Sequence, residues 1–337
     1  MSIREAIAAV VAGRDLSEEE AAAAMNEIMT GDATPSQMGA LLVALRMKGE
    51  SVDEITGMVR VMREKALRLD IDGDVLDVVS TGGASFDPFN ISTAAALVCA
   101  GAGVRVAKHG NRGFTSASGA ADVLEALGAK LELEPDQAAR CIQKSRFAFL
   151  FAPLFHPAMR FVGPTRREIG IRTVFNSLGP LTNPAGAQFQ LIGVGDPALH
   201  EKIAQVVARL GTKKTQVVHS EDGLDEVSLG APTLVYEITG HDLRSYTLRP
   251  EDAGLSRIPL SEVKTGTAVE NAATMRSVFA GEKCPQRDYV LINAGLALTA
   301  VGKANNVREG VSLASQAIDS GAAGRALLAY VTASQEA

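Results

Sequence analysis

Four short clusters in this 337-residue chain carry the side chains that could do chemistry, and each lies beside a run of strand-like or turn-like residues. The first is Ser80-Thr81-Gly82-Gly83-Ala84-Ser85, which leads through Asn90, Ile91, Ser92 and Thr93 into the apolar segment AAALVCAGAG. Glycines free backbone amides, and amides at a helix N-terminus share the dipole's attraction for anions, so this pattern suits phosphate. A plain helix cap would account for Asn90 or Ser92 taken singly. The second runs Lys108-His109-Gly110-Asn111-Arg112-Gly113-Phe114-Thr115-Ser116-Ala117-Ser118-Gly119 after the run VRVA. Lysine supplies a point charge and the hydroxyls supply donors, which again suits phosphate. His109 has the residue type of a general base, yet no nucleophile elbow or Asp partner is discernible beside it, and a structural histidine fits equally well.

The third cluster, His219-Ser220-Glu221-Asp222-Gly223-Leu224-Asp225-Glu226, follows the run TQVV and crowds its carboxylates together. Such groups repel unless a cation sits among them, which points to magnesium held by hard oxygens; solvated turn acids are the rival reading. The fourth, Arg166-Arg167-Glu168 before Gly170-Ile171-Arg172, offers an arginine fork to a substrate carboxylate or, alternatively, an ion pair between lobes. Taken together the four describe a site for a polyphosphate sugar, a divalent metal and a small anion.

Something must hold these clusters in one place. From Ile3 to about Leu69 the pattern is helical, with Ser17 and Glu20, then Ser51 and Glu54, spaced as capping boxes. Met38, Leu41, Leu42 and Leu45 recur at helical spacing and read as core. After Asp70 the texture changes to short apolar runs, VLDVVSTGG, GVRVAKHG, FAFLFAP, FQLIGVG and TQVVHS, separated by helical stretches. That alternation predicts a mostly parallel sheet covered on both faces, and such sheets place ligands at the carboxyl ends of their strands. The stretch GPLTNPAG at 179–186 reads as a turn between substructures, and 268–334 reads as mainly helical.

Composition narrows the class. The chain is 46% hydrophobic and 21% charged, which fits a folded globular protein and argues against disorder. A net charge of −6 gives no field that would attract nucleic acid or anionic lipid, so neither is an expected partner. Three scattered cysteines form neither a disulfide framework nor a thiolate zinc site, which suits a reducing cytoplasm. The first twenty residues, with Arg4, Glu5, Arg14 and Asp15 around a short apolar segment, read as neither a signal nor a transit peptide. No run approaches the ~18 apolar residues of a membrane span.

The sequence resembles the anthranilate phosphoribosyltransferases nearly end to end. The resemblance rests on MTGDATPSQMGALLVALRMKGES, FNIST, KHGNR, SGAADVLEALG, RREIGIRTVFNSLGPLTNPAG, DGLDEVSL and RDYVLINAGLAL. It implies an enzyme that moves the phosphoribosyl group of phosphoribosyl pyrophosphate (PRPP) to the amine of anthranilate, with magnesium, in tryptophan biosynthesis. The implied fold is a small all-helical N-terminal domain, 1–70 joined by helices around 165–187, and a larger α/β domain, 71–337, with a mostly parallel central sheet. A homodimer joined through the helical domain is also implied. Carried over by position, PRPP falls to Ser80, Gly82, Gly83, Asn90, Ile91, Ser92, Thr93, Lys108, His109, Gly110, Asn111, Arg112, Gly113, Thr115 and Ser116. Anthranilate falls to Ser80, Asn111 and Arg166, and magnesium to Ser92, Asp225 and Glu226; no residue is assigned as catalytic. The chain departs from the family's GTGGDG loop, with Ser80 for Gly, Ala84 for Asp, Ser85 for Gly and Pro88 for a hydroxyl residue. STGG also resembles the phosphate loop of pyrimidine nucleoside phosphorylases, so phosphorolysis of a nucleoside is the first alternative; another aromatic acceptor, and a catalytically silent nucleic-acid binder, are the others.

Overall fold

A computed structural model describes residues 1–84, 86–113 and 117–337, so Ser85, Thr115 and Ser116 of the expected phosphate loops lie outside the described residues. The chain opens with α1 (Ile3–Val11), α2 (Glu18–Thr30), α3 (Pro35–Lys48) and α4 (Val52–Lys65). Both expected capping boxes form. The Glu20 amide donates to Ser17 Oγ at 3.2 Å and the Ser17 amide to Glu20 at 3.0 Å. At the second box the Ser51 amide donates to Glu54 at 2.7 Å, while the other Glu54 oxygen takes the Leu16 amide at 3.0 Å. That cap therefore also ties α4 to the start of α2, beyond the ~1 kcal/mol such caps contribute. Met38, Leu41, Leu42 and Leu45 are all buried.

Strands and helices then alternate: β1 (Leu76–Ser80), α5 (Ile91–Gly101), β2 (Val106–Gly110), α6 (Ala120–Ala126), α7 (Pro135–Ser145) and β3 (Phe147–Phe151). The short α8 (Ala152–Phe155), α9 (Met159–Ile169) and α10 (Val174–Leu178) precede β4 (Phe189–Gly193), α11 (Pro197–Leu210) and β5 (Thr212–Ser220). An antiparallel hairpin, β6 (Thr233–Gly240) and β7 (Asp242–Leu248), was not among the expected strands. Its second strand, β7, is the sheet edge and mostly solvent-exposed, so that strand carries no apolar alternation to announce it, whereas β6 lies inside the sheet and does alternate. Helices α12 (Ala268–Phe279), α13 (Pro285–Ala300), α14 (Val307–Asp319) and α15 (Ala322–Gln335) complete the chain.

The sheet order is β3-β2-β1-β4-β5-β6-β7, with β3 to β5 parallel. Successive side chains along a strand face opposite sides, and the core divides accordingly. Leu191 and Val218 join the apolar cluster of α5, α13, α14 and α15, whereas Ile192 and Val217 join the cluster of α1 to α4 and α11. Val162 of α9 and Val174, Phe175 and Leu178 of α10 belong to that second cluster. The chain is thus a small helical N-terminal part packed on a larger α/β part with a mostly parallel seven-stranded sheet. From β1 the chain winds one way to β2 and β3, and from β4 the other way to β5. The reversal leaves a crevice between the carboxyl ends of β1 and β4, where Ser80 pairs in register with Gly193.

Candidate active site

Three loops converge on that crevice because their strands end beside it. At the first, the Thr81 amide donates to Gly193 O at 2.9 Å and the Gly195 amide donates to Thr81 Oγ1 at 3.0 Å, stitching β1 and β4 beyond their last ladder pair. Gly82 and Gly83 have φ of +66° and +80°, and a Cβ on Gly83 would lie 2.5 Å from the Arg172 guanidinium carbon. That guanidinium donates to the carbonyls of Thr81 at 2.8 Å and Gly82 at 2.9 Å. Arg172 thereby holds the glycine turn closed from the side of α9 and α10.

Asn90 precedes α5 but makes no side-chain cap bond. Its amide donates instead to Ser118 O at 3.0 Å and accepts from Asn271 of α12 at 3.0 Å, so it fastens the first loop to the second. Ser92 offers its backbone amide to Glu226 Oε1 at 2.9 Å, placing a carboxylate at the N-terminus of α5 where the dipole favours negative charge. Thr93 and Ile91 are buried, and Thr93 Oγ1 has no hydrogen-bond partner among the described residues.

At the start of the second loop Lys108 is only 2% exposed, its ammonium under the N-terminus of α5. Its Nζ lies 2.5 Å from Val78 O and 3.3 Å from Ser92 Oγ. Burial lowers its pKa, while Asp77 and Glu226 nearby act in the opposite sense. Asp77, fully buried, is pushed up to about 6 by burial, with Lys108 and hydrogen bonds from Asn183 and the His109 amide opposing. Lys108, Asp77 and Asn183 are a charged, hydrogen-bonded floor under the site. Sequence reasoning missed Asp77 and Asn183, because an Asp inside the run VLDVV and an Asn in a proline turn give no local sign of meeting.

His109 Nδ1 faces Gly179 O at 3.2 Å, which assigns the proton to Nδ1 and leaves Nε2 as an acceptor, buried and without a partner among the described residues. Burial, then the neighbouring His156 ring 5.1 Å away, pushes its pKa down to about 3. A group so weakly basic stays uncharged and is a poor proton acceptor near neutrality. Arg112 is drawn away to α6, its Nη1 lying 3.0 Å from Asp122 and 2.8 Å from Glu125, so among the described contacts it braces the loop. Gly110 packs against Phe149, and Asn111 is exposed at the rim with its Oδ1 accepting the Arg112 amide at 2.8 Å. The Gly113 amide donates to Asp122 at 2.9 Å.

Of the four acids in the third cluster, Asp225 and Glu226 turn inward, at 5% and 8% exposure, while Glu221 faces solvent and Asp222 binds Ser228 Oγ at 2.6 Å. Burial raises the Asp225 pKa, and hydrogen bonds from the Ser80 side chain and the Gly82 backbone oppose it, as does Arg172. Burial, then the Asp225 charge, pushes Glu226 up to about 8. Glu226 Oε2 is buried with no partner among the described residues. Two adjoining buried carboxylates, one with an orphaned oxygen, and Ser92 beside them supply the hard oxygen donors that a magnesium ion takes, so these residues fit the ion.

Gly193, which sequence reasoning passed over, is what lets this pair in. A Cβ there would lie 1.6 Å from Asp225 O, and one on Gly195 would lie 2.7 Å from Gly82 O. The signal was available as a Gly-Val-Gly at the end of a strand run. Gly193→Ala is expected to push the acidic loop outward and lower kcat/KM for the phosphorylated substrate by about 100-fold, the scale of an ångström's misplacement. Steady-state kinetics beside circular dichroism would check it, and an unchanged kcat/KM would show that the loop tolerates the shift.

Arg166, on the last turn of α9, is half-buried with no ion-pair partner among the described residues. Its guanidinium lies over the Phe175 ring at 5.1 Å. Burial, and then the Arg172 charge, lowers its pKa. A half-buried cation beside another cation, with no carboxylate matched to it among the described residues, keeps its guanidinium donors available to an anion. The expected alternative, an ion pair between lobes, does not form among the described residues.

Known proteins agree with this geometry along nearly the whole chain. Residues 4–66 match the model of the glycosyl transferase family helical bundle domain, and 72–324 match that of the glycosyl transferase family a/b domain. The anthranilate phosphoribosyltransferase of Chloroflexus aggregans is 53% identical over 325 residues, 96% of each chain. That of Moorella thermoacetica is 53% identical over 330 residues, covering 98% of this chain and 97% of its own. Among solved structures, the Thermus thermophilus anthranilate phosphoribosyltransferase has a TM-score of 0.92 at 45% identity, covering 98% of this chain and 99% of its own. The Saccharomyces cerevisiae enzyme in complex with PRPP and Mg has a TM-score of 0.92 at 28% identity, covering 99% and 98%. With this fold, this crevice and these relatives, the chain belongs to the anthranilate phosphoribosyltransferase family.

Proposed function

We propose that this enzyme transfers the phosphoribosyl group of PRPP to the amine of anthranilate, giving N-(5-phosphoribosyl)anthranilate and pyrophosphate, in tryptophan biosynthesis. The observation that carries the reading is the buried Asp225 and Glu226 pair with its orphaned Oε2, set against the amide-rich N-terminus of α5. Solved relatives from Saccharomyces cerevisiae hold PRPP and Mg in one case and 4-fluoroanthranilate in another, which supports both substrates and the ion. When bound, magnesium would offset the charge of the departing pyrophosphate, held by Asp225, Glu226 and Ser92.

The chain's own groups do the rest. The Gly82, Gly83 and Ser92 region and the loop that follows Lys108 bind and orient the phosphates of PRPP, with the buried Lys108 ammonium as the positive charge beneath them; Asn90 and Asn271 keep the two loops at a fixed spacing. Arg166 takes the acceptor's carboxylate, with Asn111 and Ser80 beside it. An aryl amine is uncharged near neutrality and keeps its lone pair, so it attacks the sugar carbon without prior deprotonation: the C–N bond forms as the C–O bond to pyrophosphate breaks, and the resulting ammonium then gives its proton to solvent. That fits the neutral His109, which offers only Nε2 as a hydrogen-bond acceptor. Positioning and preorganised donors, with no covalent intermediate, supply the acceleration.

The helical unit 1–70, extended by residues around 165–187, is the surface through which a second copy pairs, and the α/β unit 71–337 carries PRPP. No described helix is long and apolar enough to cross a membrane, and Cys99, Cys141 and Cys284 are free, which supports a cytoplasmic enzyme. The test is the loss of anthranilate fluorescence with PRPP and magnesium, run beside phosphate with thymidine or uridine. Turnover of anthranilate alone is expected; nucleoside cleavage without anthranilate turnover would assign the chain to phosphorolysis instead.

A further inference from the structure

The stretch RDYVLINAGLAL, on α13, contributes no side chain to the crevice described above, yet one side of that helix lies against the acidic loop. Asn293 is 1% exposed, and its amide pairs with the Val227 peptide from both ends. The Val227 amide donates to Asn293 Oδ1 at 2.9 Å, and Nδ2 donates to Val227 O at 2.9 Å and to Tyr289 O at 2.9 Å. Val227 directly follows Glu226. On the other side of that peptide, Ser220 Oγ at the end of β5 donates to Glu226 O at 2.7 Å and accepts from the Ser228 amide at 3.1 Å. One turn back on α13, the Tyr289 hydroxyl donates to Ile258 O at 2.8 Å and lies 3.4 Å from Ser228 Oγ. The backbone from Glu226 to Ser228 is therefore suspended between α13 and β5.

Such a clamp has a physical purpose here. Adjacent buried carboxylates repel, and a loop free to move would relieve the repulsion by swinging one of them into water. A buried amide that satisfies both the N–H and the C=O of one residue, and so grips two successive peptides, opposes the swing, since leaving either group unpaired in the interior costs about 1–3 kcal/mol. Gly193 admits Asp225 from below, and Asn293 holds the peptide after Glu226 from behind.

We propose that Asn293 is a positioning residue for the acidic pair: by pinning the Val227 peptide it sets the separation and direction of the Asp225 and Glu226 carboxylates toward PRPP and its magnesium. The inference rests on the reading of that pair given under Proposed function. Its loss acts on the ion's site through the backbone, in the way that outer groups orient metal ligands, for which losses of about 10–100-fold are usual.

The test uses the full chain with Asn293→Leu, which removes every bond at similar volume, and Asn293→Asp, which keeps the acceptor but turns an oxygen toward Val227 O. Ser220→Ala releases the opposite side and keeps the test alive if Asn293→Leu fails to fold. Gln216→Leu is the control, a buried amide on β5 bonded at 2.9 Å to Thr299 and away from the loop. PRPP binding is read by calorimetry at low and at saturating magnesium, beside Tm. The clamp variants should bind PRPP about tenfold or more weakly at low magnesium and recover at high magnesium; the control should lose Tm alone. Folded clamp variants with the parent's magnesium dependence, or a control that shifts it equally, would reduce Asn293 to a core amide. A parent whose PRPP binding ignores magnesium would instead overturn the reading of the acidic pair, and the inference with it.

Discussion

Glu226→Gln and Asp225→Asn are each expected to lower turnover by about 100-fold or more, the scale seen when a charge-stabilising group is removed from a reaction site. The fold should survive, because neither carboxylate holds the core together. Asp225 accepts from Ser80 and Gly82 and Glu226 from Ser92, but both sit buried at the cost of desolvation and mutual repulsion. The metal-free protein provides a second readout with a definite sign. Glu226 has an ordinary value of 4.5 and is pushed up to about 8 in the fold. Between those values the folded chain binds more protons than the unfolded chain, so stability falls as pH rises through that window. Glu226→Gln removes this dependence. In the presence of a chelator, the variant and its parent should melt alike near pH 4.5, and the variant should melt higher near pH 8. Saturating magnesium with PRPP should restore the parent and leave the variant unmoved. Wild-type turnover at limiting magnesium in both variants would make the acidic loop a mere turn.

The second large effect concerns the acceptor. Arg166→Ala should raise the Michaelis constant for anthranilate by roughly one to two powers of ten, the equivalent of about 1.5–3 kcal/mol for a hydrogen bond to a charged group. PRPP binding should stay nearly intact. The guanidinium has no carboxylate partner among the described residues, and burial and Arg172 both disfavour its charge, so its removal leaves no buried anion stranded. What the fold forfeits is the contact with the Phe175 ring, worth ~0.5–1 kcal/mol. Arg166→Lys keeps a cation but not the planar fork and should recover only part of the loss. Aniline sharpens the comparison: the parent should prefer anthranilate strongly, and the Ala variant should lose much of that preference. A parent that treats both amines alike would remove the carboxylate from the reading of Arg166.

The departures from the family's GTGGDG loop acquire a local meaning from the geometry. Ser80 stands at the last pair of β1 with β4, and its side chain hydrogen-bonds the Asp225 carboxylate. The hydroxyl thus adds a donor to the acidic pair. Ala84 lies against Gly195, where a Cβ would come within 2.9 Å of the Ala84 amide, so the loop is packed closely with or without an acid at that position.

Much of the architecture was legible because it depends on short-range chemistry. Ser17 with Glu20 and Ser51 with Glu54 announce helix starts through groups three residues apart, and five of the strands announce themselves through β-branched or apolar runs ended by glycine, proline or polar residues. The same locality explains why four chemical clusters could be picked out, and why the edge strand 242–248 could not: exposed at most of its residues, it carries no alternation. Three-dimensional contact decided the rest. Sequence spacing could not tell which of the four crowded acids turn inward, that Lys108 is buried under the N-terminus of α5, or that Arg112 is held by α6. Nor could it show that Asp77 meets Asn183, that Gly193 is a glycine because Asp225 O passes over it, or that Asn293 holds the peptide after Glu226. Those pairs are separated by 32 to 106 positions, and their meeting is set by the reversal of strand order between β1 and β4 and by the packing of α13 on β5. A residue type declares what chemistry is available, but burial and partner determine its charge and direction, and only the packed chain supplies those.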